Sequence, residues 1–279
     1  MSTITRKEFL QLSGAGVLAS TVLPGFTPSF ATPKDGEERL NLGMASYTLR
    51  KFTLDEVIAI CKQLGLKHVA LKDFHLPINL PKEQLQARAA QVREAGLDLY
   101  GGGVIYMKTE DEVNQAFDYA KHAGFKMIIG VPSHNLLNVA EQKVKETNIM
   151  LAIHNHGPGD DVYPSPESVF EKIKDLDKRI GLCIDIGHTQ RIGQDPAKMA
   201  AKYASRLYDI HIKDVTGSAS KDTPLEIGRG VIDIPAFLKA LVKSKYQHIV
   251  SLEYEKDADD PIPGAAESIG YIRGVLKLI

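Results

Sequence analysis

Five short apolar runs of this chain stop at residues that move protons or bind metals. The stops read Lys72-Asp73-Phe74-His75, His154-Asn155-His156, Asp185-Ile186-Gly187-His188, His211-Ile212-Lys213-Asp214 and Glu253-Tyr254-Glu255. In an extended chain alternate side chains share a face. His154 therefore pairs with His156, His211 with Lys213, and Glu253 with Glu255. Imidazole nitrogens and carboxylate oxygens brought together form a mixed ligand set suited to Mn2+, Zn2+, Fe2+ or Co2+. The same groups serve as general acids and bases. Each stop alone has a plain explanation. A histidine at a strand end is usually a hydrogen-bonded surface group, Asp185 opens an ordinary turn, and Lys213-Asp214 is a solvated pair. Repetition at the same end of five runs argues for one shared site.

Such a site needs elements that converge. Eight apolar runs read as strands: LNLGMAS (40–46), HVALKD (68–73), LDLYGGG (97–103), KMIIGVP (126–132), IMLAIHN (149–155), IGLCIDI (180–186), LYDIHIK (207–213) and HIVSLEY (248–254). Their length and Val/Ile/Leu content suit strands buried on both faces. Helical stretches lie between them. Thr53 to Glu56 and Thr109 to Glu112 form capping boxes in pattern. Ser165-Pro166 and Asp195-Pro196 place a cap before a first-turn proline. Gly65, Gly96 and Gly124 stand where helices end. Strands alternating with helices imply parallel βαβ units, and eight of them imply a closed (β/α)8 barrel. The other architecture, an open doubly wound sheet, usually has fewer strands, and no G-x-G-x-x-G opens the first βα turn. In a barrel the C-terminal strand ends carry the chemistry, and these are the ends where the polar residues fall.

The chain of 279 residues has an ordinary globular composition and a net charge of −1. It has no electrostatic reason to bind nucleic acid or an anionic membrane surface. Its two cysteines, Cys61 and Cys183, are too few for a disulfide framework. Residues 1–31 differ from the rest, with Arg6-Lys7, then Phe9-Leu10, a small-residue apolar stretch and a closing Ser29-Phe30-Ala31. This pattern predicts an export signal of twin-arginine type with Lys7 at the second arginine position, and hence a periplasmic or exported protein. No lipobox cysteine is present, so no membrane anchor is expected. Residues 32–39 read as a linker, and 40–279 as one barrel domain.

The motifs CIDIGH, DIHIKD and VSLEYE, in this order on the last three strands, resemble the xylose-isomerase-like TIM-barrel superfamily. That group includes sugar phosphate isomerases and epimerases, ketose 3-epimerases, inosose dehydratases and endonuclease IV-type enzymes. The resemblance spans residues 40–279. It implies one divalent metal held by a carboxylate on strand five, Asp185 on strand six, His211 on strand seven and Glu253 on strand eight. It also implies that His188 and Lys213 face the substrate. The strand-five carboxylate falls at His154, which becomes the expected fourth ligand. His156, or a loop carboxylate from Asp160, Asp161 or Glu167, is the alternative. Lys72, His75, Arg191 and Glu255 are expected to line the substrate site, with Arg229 a further basic residue nearby.

The implied chemistry is carbonyl polarisation, removal of the adjacent proton by Glu253, and an enediolate held by Lys213 or His188. His156 would handle a second proton. The expected function is therefore a metal-dependent carbohydrate isomerase or epimerase acting on a small, non-phosphorylated sugar. A histidine in place of the strand-five carboxylate also admits a lyase or hydratase acting on keto-sugars, as in inosose dehydratases. A sugar-binding barrel without turnover is the third reading. The long polar loop 216–235 reads as a lid, a substrate wall or a plain surface excursion.

Overall fold

The computed structural model describes residues 39–279. The expected export segment 1–31, and the linker 32–39 except for Arg39, lie outside the described residues. The barrel strands are β1 (Asn41–Ala45), β2 (His68–Leu71), β3 (Asp98–Met107), β4 (Met127–Pro132), β5 (Met150–His154), β6 (Ile180–Asp185), β7 (Leu207–Ile212) and, as the eighth barrel strand, β10 (Ile249–Leu252). All pair in parallel in the order β1-β10-β7-β6-β5-β4-β3-β2, and the sheet closes between β1 and β2. Most strands end a residue or two before the apolar runs do, because the polar residues at their ends leave the ladder for the loops.

β3 departs from this. It runs four residues past Gly103, where the apolar run was expected to stop. The ladder to β4 breaks between Gly102 and Ile105, then resumes with Ile105 beside Gly130 and Tyr106 beside Val131. Gly103 has φ 155, and a Cβ there would sit 2.1 Å from the Ile129 carbonyl oxygen. Only glycine fits this close approach of two strands.

Helices separate the barrel strands: α1 (Leu54–Gln63), α2 (Lys82–Glu94), α3 (Glu110–Ala123), α4 (Leu137–Thr147), α5 (Pro166–Ile173), α6 (Ile186–Arg191), α7 (Pro196–Lys202), α8 (Ile234–Lys243) and α9 (Ile262–Leu278). The Thr53 and Thr109 capping boxes form as expected, and Gly124 ends α3 in the left-handed conformation. Ser165 and Asp195 cap α5 and α7 ahead of their prolines.

The main apolar core lies between the strands and the helices. A smaller cluster fills the barrel itself, with Tyr100, Met127, Ile129 and Cys183 among its members. Cys61 and Cys183 are both buried free thiols. Loop 216–235 is fastened down. Short strands β8 (Asp214–Val215) and β9 (Pro224–Leu225) pair antiparallel, and the buried Asp214 carboxylate accepts from the backbone N–H groups of Val215, Gly228, Gly230 and Ile232. No described helix is long and apolar enough to cross a membrane.

Candidate active site

Alternation along the strands stacks two polar layers in the barrel. In the lower layer the Tyr100 hydroxyl lies 3.1 Å from Asp209 Oδ1 and 2.5 Å from Ser251 Oγ. Two residues on in each strand stand His211 above Asp209 and Glu253 above Ser251, joined by His154 and Asp185 from β5 and β6. These four are buried, and one ligand atom from each lies within 4.8 Å of all the others. His154 Nε2 is 3.1 Å from His211 Nδ1 and 3.5 Å from Asp185 Oδ2. His211 Nδ1 is 3.2 Å from Glu253 Oε2. Lys213, only 1% exposed, places its ammonium 2.8 Å from Asp185 Oδ2 and 2.6 Å from Glu253 Oε2, with Glu255 as a third carboxylate contact.

Local structure aims these groups. Asp185 is both the end of β6 and the N-cap of α6. Its Oδ1 accepts from the His188 backbone N–H at 2.8 Å, which turns Oδ2 toward the cluster. The buried Asn155 accepts from the Asp185 N–H at 3.1 Å and fixes β5 against β6. A Cβ at Gly187 would lie 2.5 Å from Lys213 Cγ, so glycine opens the channel for the lysine stem.

Electrostatics sort the protonation states. Burial works against charge on Asp185 and Glu253, yet their imidazole and ammonium neighbours win. His188 and Lys213 hold Asp185, and His211 and Lys213 hold Glu253, well below the usual carboxylate range. Burial opposes the charge on Lys213 too, but Asp185, Glu253 and Glu255 keep it protonated. Burial pushes His154 down to about 3 and His188 down to about 4. His211 moves the other way, because Glu253 and Asp209 outweigh its burial. One imidazole of the contacting pair is thus neutral and the other is the proton carrier.

This donor set fits a divalent cation. His154 and His211 share a contact that only one proton or one cation can fill. The buried His154 Nδ1 has no hydrogen-bond partner, so nothing on that side fixes its tautomer against a ligand role. Three carboxylates, Asp185, Glu253 and Glu255, face the single Lys213 ammonium. Two imidazole nitrogens with two carboxylate oxygens suit zinc or manganese chemistry.

A cavity of about 310 Å³ opens above the cluster. Its wall includes His154, His156, His188, Glu253, Glu255 and Lys72, all site residues expected from the sequence. Asp185, His211 and Lys213 lie beneath, bonded to these. Other expected residues stand elsewhere. His75 is 2% exposed, and its ring nitrogens bind Ser46 Oγ and the carbonyls of Leu49 and Phe52. It braces the turn after β1 and does not line the cavity. Arg191 also lies off the cavity wall, with Nη1 3.5 Å from the Asp222 carbonyl. Arg229 pairs with Glu267 instead of joining the site. Glu167 pairs with Lys202, and loop 216–235 contributes nothing to the wall.

Sequence reasoning missed Tyr106 and Tyr47, which both line the cavity. The Tyr106 hydroxyl is 2.8 Å from His156 Nε2, and the two rings stack at 5.4 Å. Asp160, considered above as a ligand, stands behind instead. Its Oδ2 is 3.4 Å from His156 Nδ1. Burial lowers His156 and raises Tyr106, so the phenol keeps its proton.

Comparison with known proteins identifies the family of the fold. The family model for the xylose isomerase-like TIM barrel matches residues 50–275. The rhizopine catabolism protein MocC of Rhizobium meliloti is 27% identical over 151 residues, 49% of this chain and 46% of that protein, so the match spans under half of that relative. An inosose dehydratase of Clostridium beijerinckii is 22% identical over 271 residues, covering 81% of this chain and 89% of that enzyme. A solved L-ribulose 3-epimerase superposes with a TM-score of 0.70 at 15% identity, covering 86% of this chain and 95% of its own. The IolI protein with a bound zinc atom does so at 0.70 and 16%, covering 84% and 98%. The closed parallel barrel and the match across most of its length make this chain a member of the xylose isomerase-like TIM-barrel family.

Proposed function

We propose that this barrel is a lyase acting on a non-phosphorylated keto-sugar. It removes the proton beside the carbonyl and expels the oxygen one carbon further on. One observation carries the reading. The position across from Glu253 holds a buried, neutral imidazole, His154, instead of a second carboxylate base, while the open side of the cavity carries the Tyr106–His156–Asp160 chain. One base and one acid suit elimination. The likeness to inosose dehydratases over four-fifths of the chain agrees.

The residues divide the work. Glu253 spends Oε2 on His211 and Lys213, which leaves Oε1 for the substrate proton. The Lys213 ammonium, buried beneath the wall and bonded to Asp185, Glu253 and Glu255, keeps the base ionised and fixes its orientation. The Tyr106–His156 pair gives a proton to the leaving oxygen, with Asp160 orienting the imidazole. His154, Asp185, His211 and Glu253 would hold a divalent metal, which when bound supplies Lewis acidity toward a carbonyl. Export through residues 1–31 belongs to the same proposal, since outside the cytoplasm the substrates at hand are free or oxidised sugars and glycosides.

Isomerisation or epimerisation starts with the same proton removal and differs in where a proton returns. His188, on the cavity wall and 18% exposed, is the group that would return it to carbon. Incubation with 3-keto-sugars and Mn2+ in D2O separates these cases. Elimination is expected, seen as an unsaturated ketone and loss of the leaving group. A deuterium-labelled isomer that keeps every oxygen of the substrate would instead select the second reading. No exchange and no product would leave a binding barrel.

A further inference from the structure

A second cavity, of about 290 Å³, adjoins the first. Lys72, Val104 and Tyr106 line both. The rest of its wall comes from the end of β2 and the loop after it, from β3 and from α3. Asp73 and Gln115 offer hydrogen-bonding groups, and Ile78 and Tyr119 offer apolar surface. Each cavity is at the small end of ordinary ligand sites, roughly 300 Å³. Such a mixed wall suits a second sugar, whose hydroxyls need acceptors and donors and whose C–H face packs on apolar groups.

Tyr106 marks the boundary. Its ring is 48% exposed, and its hydroxyl sits on His156 in the first cavity. An oxygen leaving at this point meets the acid on one side, and whatever it carries lies in the second cavity. We propose that the second cavity is a subsite for the leaving group, and that the substrate is a keto-glycoside with its oxidised ring over the buried cluster. The chemistry rests on the lyase reading, and the two-unit binding rests on the cavities.

The bonds balance without an oxidant. The C–H bond beside the carbonyl breaks to Glu253, and its electron pair forms the new C=C bond. The C–O bond to the second unit breaks with its pair on oxygen, which takes the proton of the Tyr106–His156 pair. The carbon that loses its oxygen is two removed from the carbonyl carbon. Cleavage at the glycosidic carbon, C1, therefore demands a carbonyl at C3 and proton loss from C2.

The test compares a 3-keto-disaccharide with free 3-ketoglucose on the full chain supplied with Mn2+, by calorimetry and by mass analysis of products. The disaccharide is expected to show about tenfold or greater advantage in kcat/KM and in affinity, with the second sugar released intact. Ile78→Trp, which fills the cavity, and Gln115→Ala, at an exposed helix position that does not threaten folding, are each expected to bring that advantage toward unity. Equal kcat/KM and affinity for the two sugars, or no binding of the disaccharide, overturns the subsite. An advantage that both variants leave intact also overturns it. Preferred binding of the disaccharide without any product keeps the subsite and removes the lyase reading. Elimination from 3-ketoglucose with no preference does the reverse.

Discussion

His154 and His188 are the residues whose chemistry was hardest to read before their surroundings were known. Both are histidines kept neutral by burial, with pKa values of about 3 and about 4. In the unfolded chain they titrate near the ordinary value, about 6.5. Between those limits the unfolded state binds more protons than the folded one, so stability falls as pH falls. At pH 5 each contributes a loss of about 2 kcal/mol relative to pH 8. The depressed carboxylates Asp185 and Glu253 add a loss of the same sign at still lower pH. Metal-free protein is therefore expected to lose several degrees of Tm between pH 7.5 and 5, and His188→Asn is expected to flatten that dependence. A Tm that holds constant across this range would contradict the neutral imidazoles. At this scale much of the site was legible. His154, Asp185, His211, Lys213 and Glu253 stand at strand ends on inward positions, and period-2 alternation finds them. His75 and Arg191 misled because sequence position near a strand end does not say which way a side chain turns after the strand stops. Tyr106 was hidden for a different reason, since it lies beyond the point where its strand was expected to end.

The elements explain both the success and the miss. Caps and apolar periodicity are local signals, so α1, α3, α5 and α7 begin where their Thr, Ser and Asp residues say. The continuation of β3 depends on how it packs against β4, through the contact at Gly103 and Ile129. No local pattern encodes that pairing. The β6–α6 junction is the second informative element. Asp185 serves the helix with one oxygen and the buried cluster with the other, and Gly187 in the first turn clears the Lys213 stem. Gly187→Ala is expected to push the lysine out of line, at an overpacking cost of about 1–3 kcal/mol. The outcome to measure is a modest drop in Tm beside a larger drop in kcat. Activity unchanged at lowered Tm would mean the Lys213 position does not matter to the reaction.

The described residues form a barrel whose centre carries excess negative charge. Three carboxylates converge on one ammonium, and the raised proton affinity of His211 is the response. A divalent cation would answer the same imbalance. Adding Mn2+ or Zn2+ at 100 to 1,000 times Kd is expected to stabilise the fold by about 3–4 kcal/mol, read as a rise in Tm that a chelator reverses and Glu253→Gln diminishes. No shift with any of these ions would remove the metal from the proposal. At this scale the barrel was legible from eight buried runs and their spacing, because parallel strands covered on both faces leave an unbroken apolar signature. The fastening of loop 216–235 was not, since it hangs on one buried side chain, Asp214, that reads like any surface acid. The four clustered ligand-type residues all come from β5, β6, β7 and the segment after β10, whereas the second cavity draws on residues 71–119. The two cavities share Lys72, Val104 and Tyr106 as common wall. Tyr106 apart, reagents and selectivity are thus written in separate stretches of the gene, and drift elsewhere in residues 71–119 can rewrite which molecules are admitted while leaving the text of the reaction untouched.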